Sequence, residues 1–130
     1  KSKKLTNKLN KNNKKGVPIL LCLDVDHGDL DSKNVDDYNP YKWIEKLGNQ
    51  SPVIHIKQRT KDVSGHKPFI AKHNSKGIIF PKKIISYLKK LKLKEIYLYL
   101  ELSFREREPY ESQVIPHLVE SVEYWKKYIK

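Results

Sequence analysis

Three short strand-like runs alternate with helical patterns along the chain, and this order constrains the fold more than any other feature of the sequence. The runs lie at Ile19 to Leu23, Val53 to Ile56 and Glu95 to Leu102. Apolar residues at helical spacing follow each run. Strands that alternate with helices pair in parallel through right-handed crossovers. The sequence therefore predicts an α/β fold with a parallel sheet.

Capping residues mark where the predicted helices begin and end. Asn39 and Pro40 predict the start of a short helix and Gly48 its end. Pro81 opens a second helix. Pro116 interrupts the early part of the last helix, so we expect its regular part to begin only there. The apolar stripe of this last helix consists of Val114, Leu118, Val122, Trp125 and Ile129.

The first 16 residues differ from the rest of the chain. They are mostly Lys and Asn, with Leu5 and Leu9 at helical spacing, which indicates the end of a surface helix or a tail. Residues 17–130 have the length of one domain. Because the chain opens at Lys1 and has no Met, we expect it to be a fragment or a processed piece.

The composition limits the partners and the setting. The net charge is +12, but only three of the 27 basic residues are Arg and the Lys residues are scattered, which favours a solvated surface over a nucleic-acid site. A single cysteine, Cys22, excludes disulfide scaffolding and predicts a reduced, cytoplasmic setting. Its place in an apolar run predicts a small core residue rather than a nucleophile. No apolar run approaches the roughly 20 residues that span a bilayer, so no membrane partner is expected.

At or near the carboxyl end of each predicted strand lies a residue of a type that commonly binds metals: Asp24, His55 and Glu101. Strand alternation puts each of them on the same face as its neighbours at two-residue spacing. The loops after the strands are long and polar, as at the carboxyl ends of the strands in a TIM barrel or a doubly wound sheet. His27 follows Asp24 by three residues. We expect these side chains to converge on one point.

Singly, these residues have simpler explanations. Asp24 could cap a turn in an acidic loop, and His55 could be a core histidine bonded to a backbone carbonyl. Glu101 has no such simple explanation, because burying a carboxylate after an apolar strand costs free energy unless it is paired or metal-bound. As a set they suit Mg²⁺ or Mn²⁺, with Co²⁺ and Zn²⁺ as alternatives. Such an ion would polarise a ketose carbonyl while a carboxylate removes the neighbouring proton.

Six segments after residue 16 resemble the xylose-isomerase-like TIM barrels, which include metal-dependent ketose 3-epimerases and sugar phosphate isomerases. Cys22 to His27, His55 to Gln58 and Leu100-Glu101 are similar to segments found across this superfamily. Gly65 to Phe69 and Arg105 to Pro109 look more like a branch that acts on small sugar phosphates, including tetrulose phosphates. The sixth segment is Ser121 to Trp125.

The resemblance implies a role for each matching residue. Asp24, His55 and Glu101 match metal ligands, and Glu101 is also one of two glutamates that exchange a proton with the substrate. His27 matches a residue that acts on substrate oxygens near the metal. Gln58 and His66 fall in substrate-contact loops.

Two arginines after the third strand have two interpretations. Arg105 and Arg107 could bind a substrate phosphate, or they could form a local ion-pair network with Glu106 and Glu108.

The chain also departs from the family pattern. The family uses a fourth ligand, a second glutamate from an earlier strand, and residues 1–16 contain no glutamate. Three strands cannot close an eight-stranded barrel. We therefore expect residues 17–130 to be the C-terminal portion of a barrel, about strands six to eight. Residues 1–16 would end a missing N-terminal half, and the chain alone would be inactive.

The sequence thus predicts a metal-dependent isomerase or epimerase of a small sugar or sugar phosphate. One alternative is an apurinic endonuclease-like enzyme of the same fold that uses several zinc ions on DNA. Another is a non-catalytic module whose acidic loop, Asp24 to Asp37, binds a cation or a protein. The oligomeric state stays open, with a homo-oligomer of the full-length protein among the outcomes.

Overall fold

A computed structural model describes residues 2–13, 15–63, 65–104 and 111–129. Short 3-10 turns lie at Val35–Asp37 and Gly48–Gln50. None of the helices described is long and apolar enough to cross a membrane. The helices and strands are α1 (Ser2–Asn12), β1 (Cys22–Asp24), α2 (Pro40–Leu47), β2 (Val53–Ile56), α3 (Ala71–Asn74), α4 (Pro81–Leu88), β3 (Tyr97–Leu100) and α5 (Glu111–Lys126).

The three strands form one parallel sheet in the order β1-β2-β3. Asp24 pairs with His55 in register, and His55 pairs with Tyr99. The predicted α/β fold with a parallel sheet is confirmed. The capped helix is confirmed too, because the side chain of Asn39 accepts hydrogen bonds from the backbone N–H groups at the start of α2.

One face of the sheet carries the hydrophobic core. Ile54 and Ile56 of β2 are almost completely buried, and α2 and α4 contribute Ile44 and Ile84, both buried. Trp125 of α5 is also buried, as its place on the helical stripe predicts. Its ring meets Phe69 edge-on, with ring centroids 5.2 Å apart. The sheet therefore has its helices on the face opposite to the predicted site residues.

The first strand differs from its prediction. The predicted strand Ile19 to Leu23 begins only at Cys22, and Ile19 and Leu20 are exposed rather than buried. The amide of Asn10 explains this, because it donates to the Ile19 carbonyl and accepts from the Ile19 N–H, both at 2.7 Å. The backbone of Ile19 is thus bonded to α1 instead of a neighbouring strand.

Cys22 lies on the open face of the sheet, and its predicted place in the core of a complete barrel stays a prediction. Cys22 is exposed, and so are Tyr97 and Tyr99, at 49% and 56%. These three residues share the open face of the sheet. β3 itself is shorter than predicted, at Tyr97–Leu100 rather than Glu95 to Leu102.

The last helix begins before its proline, contrary to the prediction. α5 includes Pro116 rather than beginning there. Proline removes one backbone hydrogen bond, the bond to the carbonyl four residues earlier, which is Ser112 here. The helix therefore continues through the proline with this one bond missing.

The buried face of α5 also differs from the predicted stripe. Val122 and Ile129 are exposed, whereas Ser121 is fully buried. Its hydroxyl accepts a hydrogen bond from the backbone N–H of Phe69 at 2.9 Å and donates to the carbonyl of His117 at 2.7 Å. A polar residue on the inner face therefore ties α5 to the loop before α3.

We expect Ile54→Ala to lower the free energy of unfolding by about 2–5 kcal/mol, because it leaves a cavity at the centre of the sheet. Ile115→Ala is the matched control, since Ile115 is 65% exposed on α5 and Ile54 is 0% exposed. Its effect should stay within about 0.5 kcal/mol. Urea unfolding measures both values, and equal values would contradict the assignment of the core.

Candidate active site

The strand register brings three predicted ligands together at the carboxyl ends of the strands. Asp24 and His55 are paired neighbours on β1 and β2. Glu101 follows β3 directly, and its N–H donates to the Ile56 carbonyl at 3.0 Å. One donor atom from each of the three side chains lies within 4.8 Å of the others. The predicted convergence of these residues is observed.

A lysine that the sequence interpretation did not select lies at the centre of this group. The Lys57 ammonium is 2.6 Å from Asp24 Oδ2 and 2.6 Å from Glu101 Oε2. It is also 3.1 Å from His27 Nε2 and 3.0 Å from His66 Nε2. The side chain of Lys57 is 0% exposed. Side chains alternate along β2, so Lys57 lies on the same face as His55. This alternation is the sequence signal that could have identified Lys57 as a site residue.

His27 and His66 are held by the loops that follow β1 and β2. Asp24 Oδ1 accepts a hydrogen bond from the backbone N–H of Asp26, and this bond closes a turn after β1. The turn brings His27 Nε2 to 3.2 Å from Asp24 Oδ2. Gln58 and Lys67 form an antiparallel bridge, which folds the second loop back along β2. His66 Nε2 then lies 3.6 Å from Glu101 Oε1. His27, His66 and Glu101 form a second group with donor atoms within 4.8 Å of one another.

The electrostatics of the site follow from the lysine. Its hydrogen bond lowers the pKa of Glu101 to about 2, although partial burial acts in the opposite direction. Burial also acts against the charge on Lys57, but the hydrogen bonds to Asp24 and Glu101 outweigh it and raise the pKa of Lys57. Glu101 is therefore an ionised carboxylate near neutral pH.

A buried ion pair joins the two loops that follow β1 and β2. Arg59 Nε lies 2.7 Å from Asp26 Oδ1, and both side chains are 0% exposed. The same guanidinium donates to the Tyr38 carbonyl at 2.6 Å. Asp26 Oδ2 accepts from the backbone of Gly65 at 3.3 Å. The pair thus fixes the segments that carry His27 and His66.

This pair was missed by the sequence interpretation. Asp26 lies in an acidic loop and Arg59 in a polar one, so both resemble surface residues. The contact joins residues 33 positions apart through the tertiary fold. No pattern along the chain pairs them.

The predicted substrate contact by Gln58 requires correction. Gln58 is 0% exposed, and its Nε2 donates to Asn74 Oδ1 and the Ile79 carbonyl. Its Oε1 accepts from the backbone N–H groups of Arg59 and Ile79. An enclosed amide with both ends bonded within the protein has no group left for a substrate. Gln58 therefore has a structural role.

The remaining predicted residues divide into two sets. His27 and His66 lie in the cluster, with side chains 56% and 31% exposed, so both can be reached from solvent. Arg105 and Arg107 lie outside the described residues. Their predicted contact with a phosphate stays a prediction.

The donor set suits a divalent cation. It offers two carboxylates and an imidazole, and a positively charged group is already bound between the two carboxylates. Carboxylate oxygens with one imidazole suit Mn²⁺ and similar ions. Side chains 32% and 37% exposed at His55 and Glu101 leave the group open to a small ligand.

Comparisons with known proteins agree with this geometry. No family model matches the chain. Over 113 residues, 87% of this chain, it is 43% identical to the D-erythrulose 1-phosphate 3-epimerase of Brucella abortus. The crystal structure of a xylose isomerase-like protein from Rhodospirillum rubrum matches 96% of this chain with a TM-score of 0.72, at 16% sequence identity.

The chain has the fold of part of a xylose isomerase-like TIM barrel. In sequence it is similar to a sugar phosphate epimerase, the D-erythrulose 1-phosphate 3-epimerase described above. The chain spans 36% of that relative's length and 41% of the solved structure. Its three parallel strands are thus part of a barrel.

We expect Arg59→Met to lower the free energy of unfolding by about 3–5 kcal/mol, because it leaves the Asp26 carboxylate buried without its main counter-charge. Lys46→Met is the matched control. Lys46 also lies 2.7 Å from a carboxylate, that of Asp36, but this pair is exposed. Its loss should cost about 0–1 kcal/mol. Chemical denaturation measures both, and a similar small cost for Arg59→Met would show that the buried pair does not anchor the loops.

Proposed function

We propose that this chain supplies the metal-binding part of a divalent-metal-dependent epimerase or isomerase that acts on a small sugar phosphate. The convergence of Asp24, His55 and Glu101 at the carboxyl ends of three parallel strands carries the proposal. Sites in TIM barrels lie at this end of the strands. The epimerase relative, 43% identical, supports the choice of reaction.

The proposed chemistry is proton transfer beside a ketone. Asp24, His55 and Glu101 would hold the ion, which when bound polarises the substrate carbonyl. In an erythrulose phosphate, carbon 3 lies next to that carbonyl. Glu101 would accept the proton of this carbon, because its carboxylate lies beside the position that Asp24 and His55 share with it. Return of a proton to the opposite face of the carbon inverts it, and that step uses a second acid.

The histidines of the cluster would orient the substrate. His27 and His66 both have Nε2 within about 4 Å of the carboxylates, at 3.2 Å from Asp24 and 3.6 Å from Glu101. From these positions they can hydrogen-bond to substrate oxygens beside the metal. Positioned donors of this kind keep the reacting carbon against the base.

We infer that the site is completed by residues outside this chain. The resemblance implies a fourth ligand, a glutamate from an earlier strand, and the chain spans 36% of its epimerase relative.

The alternative functions have less support. A non-catalytic module requires no convergence of Asp24, His55 and Glu101, yet their donor atoms lie within 4.8 Å of one another. A DNA-repair enzyme with several zinc ions would need more metal-binding side chains in the loop after β2. The similarity to a sugar phosphate epimerase also favours a small substrate.

A chimera tests the proposed activity. Residues of this chain would replace the matching segment of the Brucella abortus epimerase, so that the relative provides the rest of the barrel. We expect this chimera to invert carbon 3 of D-erythrulose 1-phosphate in the presence of Mn²⁺. Incorporation of solvent deuterium at carbon 3, followed by NMR, measures the reaction. A folded chimera without this activity would contradict the proposed substrate.

In the same chimera, we expect Glu101→Gln to reduce the epimerisation rate by about 10²–10⁴-fold, because the amide cannot accept the proton. Glu123→Gln is the control, since Glu123 is an exposed residue of α5. Near-normal epimerisation by Glu101→Gln would remove Glu101 from the acid/base role.

The chain by itself should be inactive. We expect no deuterium incorporation when the 130-residue chain alone is mixed with Mn²⁺ and D-erythrulose 1-phosphate, because the fourth ligand is absent. Turnover by the chain alone would show that a further ligand is not needed.

A further inference from the structure

The proposed reaction gives no role to the ammonium of Lys57. It is bonded at 2.6 Å to Asp24 Oδ2 and to Glu101 Oε2, and these two residues are also proposed metal ligands. An ammonium has three N–H donors. It can therefore satisfy both carboxylates and one imidazole, either His27 or His66, at any moment.

The surroundings of Lys57 hold its charge in this place. The side chain is 0% exposed, so the charge is costly unless it is paired. The two carboxylates in turn need a cation between them, because two like charges close together repel each other. A cation between the two carboxylates therefore reduces their repulsion, and Lys57 provides it.

A divalent ion bound to the same oxygens would lie too close to the ammonium. Mg²⁺, for example, binds oxygen ligands at about 2.0–2.1 Å. The ammonium already lies 2.6 Å from both oxygens, so the two positions nearly coincide. Two positive groups cannot share this space.

We propose that Lys57 is a built-in cation that occupies the divalent-metal position of the metal-free protein and competes with the ion for Asp24 and Glu101. The inference rests on the metal site of the proposed function. In the absence of metal, the lysine keeps the two carboxylates together. When the ion binds, the ammonium leaves them, which lowers the apparent metal affinity.

The substitution Lys57→Met tests this competition in the 130-residue chain. Methionine has a similar length and flexibility but carries no charge. We expect the variant to bind Mn²⁺ about tenfold more tightly than the wild type, or more, by titration calorimetry. Lys61→Met is the control, because Lys61 is an exposed residue of the same loop. It should bind Mn²⁺ as the wild type does.

Thermal melting gives a second readout that does not depend on activity. In EDTA, Lys57→Met should melt at a lower temperature than the wild type, because its carboxylates lack a counter-charge. Mn²⁺ should restore the melting temperature of the variant and raise that of the wild type much less. A residue with a merely structural role would lower the melting temperature without rescue by the metal.

Two results would overturn the proposal. One is equal Mn²⁺ affinity for Lys57→Met and the wild type; the other is a loss of stability that Mn²⁺ does not restore. If Lys57→Met does not fold with or without Mn²⁺, Lys57→Gln takes its place and the same two results decide. An inactive chimera together with tighter binding by Lys57→Met would reject the proposed reaction and leave the competition standing.

Discussion

The parallel register of β1, β2 and β3 determines where every side chain of the site lies. Asp24 pairs with His55, and the next pair of positions along the sheet brings Lys57 beside Glu101. A shift of one residue in this register would turn each of these side chains to the opposite face, against the helices. The buried residues Ile54 and Ile56 prevent that shift, because it would expose them. The core and the site are therefore set by the same pairing.

Two buried cations at alternate positions after β2 have different tasks. Lys57 points its ammonium at the carboxylates of the site, whereas Arg59 forms an enclosed pair with Asp26 that joins two loops. Arginine suits the anchoring position, since its planar group bonds Asp26 and the Tyr38 carbonyl at once. Lysine suits the other, since it places a single compact charge between two oxygens. The Arg59–Asp26 pair thus holds the loops around the site in which the Lys57 ammonium lies.

Much of the fold could be predicted from the sequence, because strand periodicity and helix caps are local signals. Alternation was enough to put Asp24, His55 and Glu101 on one face. The errors came from contacts between distant residues: Asn10 bonds the backbone of Ile19, and Ser121 rather than Val122 faces the loop before α3. Gln58 was read from the resemblance as a substrate contact, but its partners Asn74 and Ile79 lie far along the chain. Local patterns do not contain such partners.

The open face of the sheet bears on how the proposed reaction could work. Proton transfer next to a carbonyl is favoured where water is excluded, because water protonates the intermediate from either side. Yet Tyr97 and Tyr99, below Glu101 on the same face, are 49% and 56% exposed. The three strands bring the ionised groups together but do not shield them. A functional site therefore needs a cover over this face, and in a closed barrel the other strands would provide both that cover and the fourth ligand.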